Sequence, residues 1–452
     1  MTLKDLFHND NFKVLDATSG SLFSIKEINT DYWKTDDSQS LVFAYLDNTI
    51  QSVTFLINVL CSNHTVALLS NDLIEDFKED LEDLYTPKYI FDSTRGSILN
   101  YISLESHLYK LKGPDQLHID KRIKVLLSTS GSTGSPKLVK LSEENLLSNA
   151  KSIASYLPIK YDDVVPLNLP LSYSYGLSIL TSNCVIGNTV VCGLPDIMSR
   201  DFWSCFSELG FTTIAGVPFV YEVFDRIGFL KKQHPSLRYF TQAGGRLSDT
   251  LISKFGTYAK VHGYQFYIMY GQTEATARMS YLPPHDLLDN IGSIGNAIQG
   301  GEFTIDVSNS ELLYSGSNVF GGYAKSKYDL SKFESITRLK TGDLAEINSN
   351  GYYIITGRIK RFIKLYGKRI NLDEVQRLVS EKFKRQIICF GYKDKKLCLA
   401  HEDDLDFDEV RTWISKEFLI YHGSIDFYLI TTCPRTANGK IDYQRLIEFY
   451  ED

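Results

Sequence analysis

The stretch Leu126–Asn145 reads LLSTSGSTGSPKLVKLSEEN. The apolar run Ile123–Leu127 predicts a strand. Ser128–Ser135 then holds six hydroxyl residues and two glycines, ahead of Pro136 and Lys137. Glycine lets a backbone approach an anion closely and adopt positive φ. Hydroxyls and free amides donate to phosphate oxygens, and a lysine adds a compact positive charge. Such a loop at the end of a strand predicts a phosphate-binding turn. By composition alone it is also an ordinary flexible turn. It is not a Walker A loop, because Pro136 stands where GxxxxGK[ST] needs glycine before the lysine.

On the N-terminal side, short apolar runs alternate with amphipathic stretches. Leu41–Leu46, Thr65–Leu69 and Tyr89–Phe91 are the apolar runs, and Asn48–Leu60 and Asp72–Leu84 are the helical stretches between them. This β-α-β-α-β order predicts a parallel sheet covered by helices. The pattern returns on the C-terminal side in Val164–Leu169, Gly176–Val185, Thr189–Val191, Phe202–Leu209 and Thr213–Ala215. Near residue 300 it changes. Phe303–Val307, Glu311–Ser315 and Tyr352–Thr356 predict strands joined by short turns, as in a small antiparallel barrel. Residues 358–452 form a further block with 18 Lys/Arg and 16 Asp/Glu, a charge of +2, against 30 and 39 in the remainder, −9. This difference is ordinary variation between domains, or marks a face that meets an anionic ligand.

Composition narrows the function classes. The 452 residues are 43% hydrophobic and 23% charged, enough for more than one packed domain and unlike a disordered chain. The net charge of 48 − 55 = −7 argues against a general nucleic-acid surface. No apolar run approaches the ~18 residues that a membrane span needs. Asp5 and Asp10 stand where a secretion signal needs an apolar run, so a cytoplasmic location is expected. The seven cysteines are odd in number and none has CxxC spacing. Reduced, buried thiols are therefore expected, without a disulfide framework or zinc site. The nine histidines form no HxxxH or HExxH pattern.

STSGSTGSPK resembles the signature loop of the adenylate-forming superfamily, which includes acyl-CoA ligases, the adenylation domains of peptide synthetases and luciferases. Further segments resemble that family's motifs in the same order. They are NLPLSYSYGL (168–177), TIAGVPFVY (213–221), QAGGRL (242–247), MYGQTE (269–274), GSIGNAIQG (292–300), ELLYSGSNVFGGY (311–323), LKTGDL (339–344), GRIKRFIKLYGKRINLDE (357–374) and PRTANGK (434–440). The resemblance assigns ATP binding to Ser130, Gly131, Ser132, Thr133, Gly134 and Lys137. It places Gly244 and Gly245 at the border of the adenine and acyl sites. It makes Tyr270 the adenine-stacking residue, within a turn that includes Gly271 and Gln272, Thr273 a ligand of the α-phosphate, and Glu274 the holder of Mg²⁺. Asp343 would accept from the ribose hydroxyls, and Arg358 would contact the nucleotide. Lys360 would be the hinge of a rotating C-terminal domain. Gly367 would let a thiol arm pass, and Lys440 would be the catalytic lysine between carboxylate and phosphate.

Three positions depart from the family pattern: Tyr173 replaces its histidine, Leu138 stands where glycine is common, and Ser310 replaces the glycine before Glu311. Residues 168–177 carry no Asp or Glu, which weakens an amino-acid substrate. Tyr173, Tyr175, Phe219, Tyr221 and Met269 imply an aromatic acyl pocket. Arg246 and Arg278 either meet a second polar group there or lie at the surface.

The implied architecture is α/β. It has a large layered N-terminal body with parallel-type sheets and a small β-barrel over residues 1–357, then a small mobile α+β domain over 358–452. The implied reaction is ATP-dependent activation of a carboxylic acid to an acyl-adenylate, then transfer to a thiol, with Mg²⁺ and coenzyme A as cofactors. The alternatives are a phosphopantetheine arm on a carrier protein as acceptor, and a nucleotide-binding regulator without ligase activity.

Overall fold

Strands covered on both faces read as unbroken apolar runs, and four such runs build the first sheet. Leu41–Leu46 pairs in parallel with Thr65–Ser70 and with Tyr89–Asp92, and Thr65–Ser70 pairs in parallel with Ile123–Ser128. The helices Ile50–Cys61 and Glu75–Tyr85 connect them, as the alternation predicts. Antiparallel strands finish both edges, giving eight strands. The computed structural model describes residues 2–28, 38–105, 107–114, 117–128, 137–366, 368–402, 406–436 and 439–451.

The chain divides into two compact units: Met1–Glu302 with Ser315–Leu339, and Phe303–Tyr314 with Lys340–Asp452. In the first unit, the second sheet orders Val164–Pro166, Thr189–Cys192, Lys13–Asp16 and Leu22–Ser24. A third run places Thr213–Gly216, Tyr239–Gln242 and Gln265–Tyr270 side by side in parallel, followed by antiparallel Ser280–Leu282 and Ser293–Ala297. The helix Ser174–Ile186 is buried over most of its length, with Ser178, Thr181, Ser182 and Asn183 donating back to helix carbonyls, and Gly187 ends it. Helix Glu143–Tyr156 starts in a capping box of Ser142 with Asn145. The Asn145 amide then donates to the carbonyls of Ser317 and Val319, at 2.7 and 2.9 Å. That tie holds the segment after Lys137 against Tyr323–Ala324, which pairs with Leu138 and Val139.

The second unit holds the strands Leu339–Ile347 and Tyr353–Arg358, a hairpin of Phe362–Leu365 with Lys368–Asn371, and a three-stranded sheet of Ile387–Tyr392, Lys396–His401 and Ile425–Leu429. Helices Leu372–Phe383 and Phe407–Phe418 contribute Val375, Val379, Val410 and Ile414 to its core.

One expectation is corrected. Gly301–Ile305, Glu311–Gly316, Leu339–Ile347 and Tyr353–Arg358 are neighbours in that order in an open sheet, the last two antiparallel, and no barrel closes among the described residues. Short turns specify that neighbouring strands pair; they carry no information on whether the first meets the last. Ser310, in place of the family's glycine, takes a left-handed φ of 61°, a conformation that costs a side-chain-bearing residue about 1 kcal/mol. All seven cysteines are free. Among the described residues, no helix is long and apolar enough to cross a membrane.

Candidate active site

Ligands of parallel α/β sheets sit beyond the carboxyl ends of the strands. In the first unit, three parallel strands deliver the matched motifs there: Val217 and Pro218 after the first, Ala243–Gly245 after the second, Gly271–Glu274 after the third. Two glycines are required by their surroundings. A Cβ on Gly271 would lie 1.9 Å from the Ala277 carbonyl oxygen. Gly244 has φ +86°, and a Cβ there would lie 2.6 Å from the Tyr173 hydroxyl. The chain thus turns back tightly between Tyr270 and Met279, whose amide donates to the Tyr270 carbonyl at 2.9 Å.

That turn presents two groups suited to a nucleotide. The Gln272 amide nitrogen is buried and has no hydrogen-bond partner among the described residues. A buried donor without an acceptor is costly, so it marks a place where a ligand oxygen fits. Glu274 accepts from the Tyr323 hydroxyl at 2.7 Å, and Lys137 lies with its ammonium 3.9 Å above the Tyr323 ring. Burial raises the Tyr323 phenol, and neighbouring Glu274 raises it further; Tyr323 therefore stays protonated and orients the carboxylate. No group of three or more His, Cys, Asp or Glu converges on a metal-sized site among the described residues. A magnesium ion carried on phosphates needs only one or two carboxylates from the protein, and Glu274 fits that role. The sequence gives Tyr323 no role at the site. Nothing in spacing links it to Glu274, 49 residues away.

On the acyl side, Tyr173 precedes the helix Ser174–Ile186 and is buried, which pushes its phenol up to about 12. Its ring meets Tyr175 edge-on at 6.4 Å. The Tyr175 hydroxyl reaches the Thr241 hydroxyl at 2.8 Å. Tyr221, expected in the pocket, instead packs in the core against Phe255 and Phe266, its hydroxyl donating to the Thr241 carbonyl at 2.8 Å. Arg246 is at the surface and pairs with Asp249. Arg278 is buried, with its guanidinium 3.9 Å over the Tyr175 ring.

The second unit brings a different set together. Asp343 and Arg358 are cross-strand partners, and Arg358 Nε lies 3.2 Å from the carboxylate. The turn before Asp343 is held by the Glu311 carboxylate, which accepts from the Gly342 amide at 3.1 Å, and by the Thr341 hydroxyl, which donates to the Leu312 carbonyl at 2.6 Å. Lys360 is exposed in the turn after Arg358. Lys440 lies on a tight turn: the Thr436 amide donates to the Lys440 carbonyl, and the Gly439 amide to the Thr436 carbonyl, both at 2.8 Å. The Thr436 hydroxyl is buried and has no partner among the described residues. Ser130, Gly131, Ser132, Thr133, Gly134 and Gly367 lie outside the described residues.

Against known proteins, the AMP-binding enzyme family matches residues 43–324. A probable CoA ligase of Humulus lupulus is 26% identical over 73% of this chain and 66% of its own length. An oxalate–CoA ligase of Arabidopsis thaliana is 25% identical over 70% of this chain and 65% of its own length. The alignments thus span just under two thirds of those relatives. The structure of o-succinylbenzoate CoA synthetase from Bacillus subtilis, in complex with an acyl-adenylate intermediate, superposes with a TM-score of 0.77. It is 18% identical and covers 98% of this chain and 96% of that one, a likeness of fold.

Proposed function

The chain belongs to the AMP-binding enzyme family, and from that premise we propose that it activates a carboxylic acid with ATP and passes the acyl group to coenzyme A. In the first step a carboxylate oxygen attacks the α-phosphorus of ATP. A P–O bond forms, the bond to the β-phosphate oxygen breaks, and pyrophosphate leaves with an acyl-adenylate remaining. In the second step a thiol sulfur attacks the acyl carbonyl and gives up its proton; AMP leaves and a thioester remains.

The observation that carries this reading is the turn Gly271–Glu274. It is folded tightly enough to exclude any side chain at Gly271, presents the unpartnered Gln272 donor, and has its carboxylate oriented by Tyr323. Tyr270 stacks on adenine and Thr273 donates to the α-phosphate. Glu274 holds Mg²⁺, which when bound with ATP offsets the charge of the phosphates. Lys137, with the loop Ser130–Gly134, holds the outer phosphates. Asp343 accepts from the ribose hydroxyls and Arg358 supports it. Lys440 places a compact cation between the two anions that must meet, and stabilises charge that grows only in the transition state. Its replacement is expected to cost about 10²–10³-fold in adenylation.

Residues 358–452 act as the mobile domain, turning at Lys360 so that the Gly367 side replaces the Lys440 side for thiol attack. Such motions run on the ~μs–ms scale. The free thiols support action in the reducing cytoplasm.

ATP–pyrophosphate exchange across fatty, aryl, hydroxy and amino acids tests the first step without an acceptor. Exchange with one class supports it, and silence across the panel with ATP bound contradicts it. Thioester formation with coenzyme A alone tests the second step. Transfer only to a phosphopantetheine carrier protein would replace the acceptor.

A further inference from the structure

Buried cations in the first unit are accounted for by their neighbours, with one exception. Lys78 pairs with Asp92 at 2.8 Å. Arg95 pairs with Asp92 at 2.8 Å and also with Glu82. The Lys124 ammonium donates to the carbonyls of Val59, Ser62 and His64, at 3.1, 2.5 and 3.0 Å. The Lys140 ammonium donates to those of Asp329 and Lys332, at 3.2 and 2.7 Å.

Arg278 is as deeply placed, at 3% exposure, yet its neighbours are poor. Its Nε lies 3.4 Å from the Met269 sulfur, one Nη lies 3.3 Å from its neighbour Ala277's carbonyl oxygen, the plane rests on Tyr175, and the neutral Tyr156 phenol is another polar neighbour. No ion pair among the described residues includes it. Taking a cation out of water without a counter-charge is costly, and a cation–π contact recovers only part of that.

The arginine is also aimed. Its carbonyl accepts from the side-chain amides of Asn149 and Asn318, at 2.8 and 2.9 Å, which pins the backbone at this residue. The chain reaches it through two non-glycine residues of positive φ, Thr276 at 57° and Ala277 at 98°. A strained approach of this kind persists only where the surroundings impose it. The guanidinium borders a cavity of about 30 Å³, roughly twice what one water needs. Tyr175, Thr241 and Met269 are among its walls, and Arg278 is the sole charged residue lining it.

Resting on the reaction proposed above, we infer that the acid carries a second carboxylate, and that Arg278 receives it. The planar fork of a guanidinium matches a carboxylate through two parallel hydrogen bonds. The ligand would bring the counter-charge the site lacks. A purely hydrocarbon acid would leave the buried cation unanswered, so the same feature selects against monocarboxylic acids.

The test uses matched pairs: succinate with butanoate, adipate with hexanoate, and terephthalate with 4-methylbenzoate. ATP–pyrophosphate exchange gives kcat/KM for each acid with the full chain, with Arg278→Lys and with Arg278→Met. Thermal melting with AMP and each acid reads binding without chemistry. The inference expects the wild type to favour the diacid of at least one pair by about 100-fold or more. It expects that ratio to fall at least about tenfold in Arg278→Met and to recover in part in Arg278→Lys. Equal or better use of the monoacid in every pair by the wild type overturns it, even if Arg278→Met does not fold. An unchanged ratio in a folded Arg278→Met also overturns it, while leaving acid activation standing. If exchange is silent throughout, the proposed reaction fails; the melting data then decide the pocket. Diacid stabilisation seen in the wild type and lost in Arg278→Met supports it, and stabilisation by neither member of any pair overturns it.

Discussion

The first unit encloses its candidate residues, and the second presents its own. Gly244, Gly271, Gln272, Glu274 and Arg278 lie at strand ends where neighbouring backbone or rings limit what else fits. Asp343 and Arg358 face each other on paired strands, Lys360 and Lys440 sit on turns, and the Arg358 side chain is 61% exposed. Under the proposed reaction, enclosure suits groups that hold ATP and the acid in one geometry. Presentation suits groups that must arrive and leave. Substitutions in the first region should therefore disturb folding and chemistry together, and those in the second chemistry alone.

The largest effect is expected at Gly271. Gly271→Ala forces a methyl to within 1.9 Å of a carbonyl oxygen. It should cost about 3 kcal/mol or more, as severe overpacking does, and abolish exchange. Chemical denaturation followed with an exchange assay reads both; a stable, active variant would break the enclosed half of the comparison. Next is Tyr323→Phe, which removes the donor to Glu274. A hydrogen bond to a charged group is worth about 1.5–3 kcal/mol. Adenylation should fall about 10- to 100-fold, and excess Mg²⁺ should recover part of it.

A smaller effect concerns acid. Asp120 accepts from the Arg122 side chain at 2.9 and 2.7 Å and from the amides of Arg122 and Phe333. Chiefly through Arg122, its carboxyl is held well below the usual range. A depressed carboxylate stabilises the fold above its unfolded value, about 3.9, and that contribution is lost as pH falls below it. Asp120→Asn should thus be less stable than the wild type at pH 6, with the gap narrowing toward pH 3, in melting curves taken across that range. Smallest is Ser310→Gly in the second unit. Relieving φ of 61° should stabilise that unit by about 1 kcal/mol, visible in melting, with adenylation unchanged.

Much of the first sheet was legible because buried parallel strands are continuous apolar runs. Leu41–Leu46 has the same limits in sequence and structure. The strands after residue 300 were legible one by one, but their open arrangement was not, since closure depends on distant pairings. Tyr221 and Arg278 show why the pocket was read less well. Hydropathy treats a tyrosine near a motif as a wall and an arginine as surface. Tyr221 is instead core because four phenylalanines surround it. Arg278 is buried because a backbone turn, invisible to composition, carries it inward.

The most direct test of the account separates the two steps at Lys440. Rapid-quench measurements on Lys440→Ala would follow acyl-adenylate formation from ATP and acid, and separately thioester formation from supplied acyl-adenylate and coenzyme A. The account expects the first rate to fall about 10²–10³-fold, with ATP binding and thioester formation kept. Adenylate formation at the wild-type rate, or an equal loss in both steps, would contradict it.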